Sequence, residues 1–396
     1  MTKSSGRMRL LAVGGLLALA VGLGIGRFVY TPILPFMETG LGVSKSDAGL
    51  IASANYLGYL LGALLGIRQS LPGSTRGWFL LSLIVCSATT ISMGLTESFE
   101  LFLLIRLMSG AASAFVMVFG SALILSRLAA EGRSRLSALY FAGVGVGISL
   151  SSLMIIMLET MDIGSQGMWI ATGILSLLLT VPVFLYVPAV PEPSSGEAAN
   201  IPLRYSRPLK ALILSYFLFG FGYIITATFI STLVRQIPEV QWMQSIIWLI
   251  VGVAAIPSVA LWAGIAAYLG NNRSYAIACL VLAIGVAGSV IAEHPLILVV
   301  SAVLLGNTVI GITALGLVEA RNMAPNHGRQ ILAVMTLSFG IGQTIGPGFA
   351  GFIYDYFGDF FVASLIAAVG LVVASSLAWG LDNKKQIPPA LPSDQI

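Results

Sequence analysis

Twelve runs of predominantly apolar residues follow one another along this chain, near 10–37, 45–67, 77–96, 98–126, 136–158, 167–187, 208–235, 239–267, 274–292, 295–320, 330–354 and 358–381. About 20 such residues in a helix cross the hydrocarbon of a bilayer. There the backbone must satisfy its own hydrogen bonds, which leaves helices or closed barrels. The runs are too long and continuous for barrel strands, which alternate over about ten residues. They specify an all-α integral membrane protein with twelve transmembrane helices. Of 396 residues 57% are hydrophobic and 9% charged. A soluble domain carries about 25% charged residues, so this chain has too few to clothe a water-facing surface.

Placing the N-terminus in the cytoplasm puts sixteen lysines and arginines in inner loops and tails and leaves Lys45 and Arg235 outside. That asymmetry orients the chain with both termini inside, as a multi-pass protein of the cell (inner) membrane. Acids such as Glu159 and Asp355 fall outside. The net charge of +4 is a topology signal and does not point to nucleic acid. The basic N-terminus before an apolar run imitates a secretory signal, but the run continues past Arg27 and is read as an uncleaved first span. The one long proline-rich polar stretch, 188–207, reads as a cytoplasmic linker between six-helix halves at 1–187 and 208–381, with a cytoplasmic tail at 382–396. Monomeric function is expected.

Within the first span, the stretch 24–35 (GIGRFVYTPILP) sets Arg27 deep in apolar surroundings. A charge at the bilayer centre costs about 3 kcal/mol on insertion scales. Pro32 and Pro35 each lack a helical donor, which is expected to free the carbonyls of Phe28 and Thr31. Charge and broken backbone together place a cavity there. A shift of 196 positions pairs Gly24 with Gly220, Gly26 with Gly222, Gly110 with Gly306 and Arg133 with Arg329. Two parallel repeats about an axis along the membrane normal, with a site at the midplane, follow from that spacing.

Four stretches carry a resemblance: 24–35, then 53–62 (SANYLGYLLG), 106–110 (RLMSG) and 339–348 (FGIGQTIGPG). With them the chain resembles the major facilitator superfamily, and within it the YbfB/YjiJ-like branch. The resemblance implies two pseudo-symmetric six-helix bundles, the MFS fold, with spans one, four, seven and ten around the central cavity. Two features depart from the superfamily pattern. The loop 66–76 (GIRQSLPGSTR) keeps cations and lacks the usual acid, and 143–147 (GVGVG) lacks the proline that drug antiporters carry on span five.

Arg27, Tyr30 and Thr31 share one helix face by their spacing, as do Arg106, Gly110 and Ser113 on span four. Counted from the outer ends of their spans, the two arginines lie within about 3 Å in depth at about 1.5 Å per residue. Guanidiniums can hold a carboxylate through two parallel hydrogen bonds. Arg106 admits a second reading, that it braces span one by capping the freed carbonyls of Phe28 and Thr31. Asn55 and Tyr59 on span two, Tyr223 and Thr226 on span seven, Asn307 on span ten and Gln343 on span eleven complete the candidate solute-binding set. Tyr140 and Trp248 read as packing residues, Gly58, Gly62 and Gly66 as a close-packing face, and Cys86 and Cys279 as small buried apolar residues. No acid falls mid-span. Glu38, at the end of span one, is the candidate for proton coupling.

The sequence therefore points to a secondary transporter that moves a small organic solute, an anion, by alternating access, with the solute and the lipid bilayer as its partners. The alternative is proton-coupled efflux of drug-like or sugar-like compounds. No span offers a nucleophile with its base, a metal-ligand cluster or a phosphate loop, so an enzyme is not expected, and neither is a cofactor or a metal.

Overall fold

The computed structural model describes residues 2–66, 72–133, 136–188, 205–291 and 294–380, with side chains for all of these but 2–5, 326 and 329. Eleven helices among them are long and apolar enough to cross a membrane. They are α1 (Gly6–Leu41), α2 (Lys45–Gly66), α3 (Thr75–Met93), α4 (Phe99–Ala130), α5 (Ser137–Glu159), α6 (Ser165–Tyr186), α7 (Arg207–Arg235), α9 (Asn271–Ile291), α10 (Pro295–Met323), α11 (Gln330–Phe357) and α12 (Phe361–Trp379). A pair bent by 45°, Ile246–Ala255 and Ser258–Leu269, makes α8 and brings the spans to twelve. No strand occurs among the described residues. The expected linker lies mostly, and the expected tail wholly, outside the described residues.

Local chemistry sets where these helices begin. Ser98 accepts a hydrogen bond from the Leu101 amide, and Ser206 from the Leu209 amide with a proline close behind it. Both satisfy amides that a helix start leaves without partners. α8 starts later than its hydropathy suggests, because Pro238–Met243 forms a short 3-10 turn.

The break in α1 also differs from the expectation drawn from its prolines. Ala20–Ile25 winds as a π-helix, residues 26–29 form a turn, and Tyr30–Leu41 is helical again. Pro32 falls in the first turn of that second segment, where its missing N–H would have had no helical partner. The chain therefore breaks one turn before the prolines, around Gly26.

Close helix crossings rest on glycine. A side chain on Gly58 would overlap the Leu107 carbonyl, and one on Gly110 would overlap the carbonyl of Asn55, so α2 and α4 meet backbone to backbone. The first six spans form one bundle and the last six the other. The bundles meet where α2 packs on α11 and α5 on α8, with the second segment of α1 against α7.

We call the face holding Gly6 and Trp379 the terminal face and the opposite one the distal face. Polar contacts between the bundles gather towards the distal face. Ser46 at the start of α2 bonds Asp355 at the end of α11. Gln244 and Ser245 bond the two carboxylate oxygens of Glu159 at the end of α5, each at 2.6 Å. Thr31 donates to the Ala227 carbonyl at 2.7 Å, and Arg235 to the Pro35 carbonyl at 3.1 Å. These bonds clasp the two bundles together at the distal end.

A second device joins α8 to α10. Ser258, just after the bend, donates to the Asn307 carbonyl at 2.5 Å and accepts from the Gly311 amide at 2.9 Å. Its hydroxyl is thus inserted between a carbonyl and the amide four residues on, a recognised cause of helix bending. The Trp262 indole also donates to Asn307 O, at 2.9 Å.

Candidate functional site

Arg27 occupies the turn that interrupts α1 and is 3% exposed. Its Nη2 donates to Gln343 Oε1 on α11 at 2.6 Å, a hydrogen bond that crosses from one bundle to the other. Gln343 in turn donates to the hydroxyl of Tyr223 on α7. The repeat length of 196 makes Tyr223 the counterpart of Arg27, so the two equivalent positions converge on one amide. The guanidinium lies over the rings of Tyr59 at 4.3 Å, Tyr56 at 4.6 Å and Phe28 at 5.3 Å. Such contacts contribute about 2 kcal/mol or more when desolvated. They do not neutralise the charge. Arg27 meets no carboxylate among the described residues, and its buried Nε has no hydrogen-bond partner.

Arg106 is deeper still, at 1% exposed. It donates to backbone, with Nη1 3.2 Å from the Gly26 carbonyl and Nη2 3.0 Å from that of Arg27. Ser109 adds a bond to Gly26 O at 2.9 Å. These are the carbonyls of the turn, and not those of Phe28 and Thr31 that the prolines suggested. The Phe28 carbonyl is satisfied by Trp248 Nε1 from α8 at 3.1 Å, so Trp248 both packs and bonds. Arg106 thereby fixes the loop that aims Arg27. Its guanidinium stands 5.1 Å from the Tyr30 ring, and its Nε too is buried without a partner.

The remaining candidates separate by what they touch. Tyr59, half-buried, flanks Arg27, whereas Asn55 turns to α4 and donates to the Arg106 carbonyl at 3.0 Å. The hydroxyl of Tyr30 donates to the Ala48 carbonyl at 2.9 Å, and that of Thr31 is taken up by Ala227. Thr226 is buried with an unpartnered hydroxyl. Asn307 stands apart from Arg27's contacts, and its carbonyl and amide serve the α8–α10 junction. Glu38 pairs with Lys45 at 2.5 Å and accepts from Thr232 at 3.2 Å. It lies about 12 Å along the second segment of α1 from Tyr30, at about 1.5 Å per residue, among the distal contacts between the bundles.

Several contributors escape a reading by residue type. Tyr56 precedes Tyr59 by three positions, a spacing that puts both rings on one face, and that pairing was the available signal. Phe219 and Phe339 stack on Tyr223, with ring centroids 5.3 and 5.9 Å away. Nothing in their local sequence distinguishes them from ordinary core aromatics.

Beside this cluster a cavity of about 30 Å³ lies between Phe28, Val144, Tyr223, Trp248, Leu305 and Val309. That volume suits a water-sized group. Among the described residues no three His, Cys, Asp or Glu side chains gather as a metal site. The chemistry on offer is a fixed positive charge with an unused donor, walled by aromatic rings and bridged across the bundle interface.

Two six-helix bundles that meet around this centre have the architecture of the major facilitator type. The chain belongs to the family described as "Uncharacterised MFS-type transporter YbfB", whose model matches residues 19–379. It is 29% identical over 171 residues to an uncharacterized MFS-type transporter, Ent638_1421, of Enterobacter sp. (strain 638), an alignment that spans 43% of this chain and 43% of the relative. Among solved structures it is similar in fold to the nucleoside transporter NupG, with a TM-score of 0.71 at 15% identity, covering 96% of this chain and 100% of that one. A bacterial homolog of the human lysosomal transporter Spinster, inward-facing and unoccupied, matches with a TM-score of 0.70 at 15% identity, over 95% of this chain and 96% of that one.

Proposed function

We propose that this transporter moves a small organic anion, a carboxylate, by alternating access, with Arg27 as the group that holds it. The observation that carries the reading is the Arg27 guanidinium, buried, without an acid and with Nε unpartnered, while its Nη2 is occupied by a neutral amide. A carboxylate fits that deficit, since it accepts two parallel hydrogen bonds from one guanidinium edge. It would compete with Gln343 for Arg27 and so release the bond that ties α1 to α11. Solute binding and the parting of the bundles thus become one event.

In this scheme the halves, 1–187 and 208–381, rock as bodies joined through 188–207 and followed by the tail at 382–396. The excess of cations on the terminal face supports a cytoplasmic side for both termini, in the inner membrane. The clasped distal end is then the outer gate, and one chain is the working unit. Nucleosides, transported by the structural neighbour NupG, could use the aromatic walls but would leave both arginines without a counter-charge, which favours an anion here.

A second reading has its own observation. Glu38 joins Lys45 and Thr232 across the distal closure, so its protonation would weaken that closure and could couple a proton gradient to efflux. Proteoliposomes loaded with a panel of carboxylates distinguish the two. Counterflow that is lost in Arg27→Ala supports the anion carrier. Transport that needs a pH gradient, fails in Glu38→Gln and survives in Arg27→Ala supports the second reading.

A further inference from the structure

Away from the midplane, the terminal-face ends of α1, α4 and α6 enclose a cavity of about 180 Å³ lined by Arg7, Met8, Leu11, Arg127, Leu185 and Tyr186, among others. Its floor is apolar, with Met8 3% and Leu11 2% exposed. Its two cations are uncommitted: among the described residues neither the Arg7 nor the Arg127 guanidinium makes a hydrogen bond or an ion pair. Arg76 behaves differently. It donates to the Phe184 and Val187 carbonyls at 2.9 and 2.7 Å and pins the end of α6 that forms one wall. The rim is aliphatic and outward-facing, with Leu185 76% exposed and Leu10 48%.

We propose that this cavity binds the head group of an anionic phospholipid. The phosphate sits between the Arg7 and Arg127 guanidiniums, and the acyl chains descend over Leu10 and Leu185. Three features favour a lipid over a free phosphate. The arginines stand at the terminal-face ends of their spans, Arg7 at the start of α1 and Arg127 at the end of α4. The mouth is flanked by leucines that water-soluble anions would not use. Basic pockets between transmembrane helices are a recurrent head-group site. The lipid would link α1, α4 and α6 at the point where the chain leaves the first bundle.

The test uses the full-length protein in neutral detergent, titrated with phosphatidylglycerol, with phosphatidylcholine, or with inorganic phosphate, while the thermal midpoint is followed. Phosphatidylglycerol is expected to raise the midpoint of the wild type. The Arg7→Gln/Arg127→Gln variant should need about thirtyfold more lipid for half the effect, which is about 2 kcal/mol at about 1.4 kcal/mol per decade. Arg7→Gln alone, at an exposed position where folding is not at stake, should show part of that shift. Native mass spectrometry should show a retained anionic lipid on the wild type that the variants lose. Equal lipid response in wild type and variants overturns the proposal, as does an equal rise with phosphatidylcholine or with inorganic phosphate alone.

Discussion

Thr31 donates its hydroxyl to the carbonyl of Ala227 at 2.7 Å, and the two residues stand 196 positions apart. That is the repeat length, so each touches its own counterpart and the contact marks the axis relating the two bundles. The same offset relates Glu159 to Asp355. Each acid ends a span of one bundle and bonds polar side chains near the start of a span of the other, Ser245 and Gln244 in one case and Ser46 in the other. The distal closure is therefore built twice, once on each side of the axis.

Loss of one clasp should loosen the closure. Hydrogen bonds to a charged group contribute about 1.5–3 kcal/mol, so Glu159→Gln should raise the distal-open population about tenfold or more. A cysteine in place of Ser231, which is buried and has no hydrogen-bond partner, reports this through its labelling by a membrane-impermeant maleimide. Cys86 and Cys279 are buried and contribute little background. An unchanged labelling rate would mean that Glu159 does not hold the gate.

Arg106 acts on backbone through a forked pair of donors. Lysine keeps the charge but not the fork, so Arg106→Lys should leave one carbonyl of the turn poorly satisfied and lower stability by about 1–3 kcal/mol. Unfolding in a denaturing-detergent titration measures this. A variant as stable as the wild type would remove the bracing role.

Gly110 abuts the Asn55 carbonyl so closely that any Cβ forces α2 from α4. Overpacking in a core costs about 1–3 kcal/mol, occasionally more, and Gly110→Ala should reach at least the upper part of that range. Gly40, with open space around it, is the control, and its alanine variant should unfold as the wild type does.

The membrane class, the twelve spans and the close-packing face at Gly58 and Gly62 were legible because hydropathy length and small-residue spacing are local properties, whereas the partner of that face, α4 with Gly110, was not. The place of the break in α1 was not. Prolines marked it, but Pro32 is accommodated in a first helical turn, and the π-helical Ala20–Ile25 has no comparable signal in its residues. Arg27 stood out because a mid-span charge is rare. Its partner Gln343 and the ring of Tyr56 depend on how α1, α2 and α11 meet, which one segment cannot encode. Asn307 looked like a cavity residue by type, yet its carbonyl serves Ser258 and Trp262.

That junction also yields a contrast. Ser258→Ala leaves the Asn307 carbonyl and the Gly311 amide free to pair directly, so stability should change by less than about 1 kcal/mol. Trp262→Ala removes a donor together with a buried ring and should cost about 3–5 kcal/mol. Chemical unfolding of both variants checks the order, and equal costs would mean that the inserted hydroxyl is structural in its own right.

The central claim is that Arg27 holds the charge of the solute. A ligand stabilises only the protein that binds it, so a thermal-shift screen of organic anions on wild type and Arg27→Ala tests it most directly. At least one carboxylate should raise the wild-type midpoint, leave that of Arg27→Ala in place and give a reduced shift with Arg27→Lys. An anion that stabilises Arg27→Ala as much as the wild type would contradict the claim.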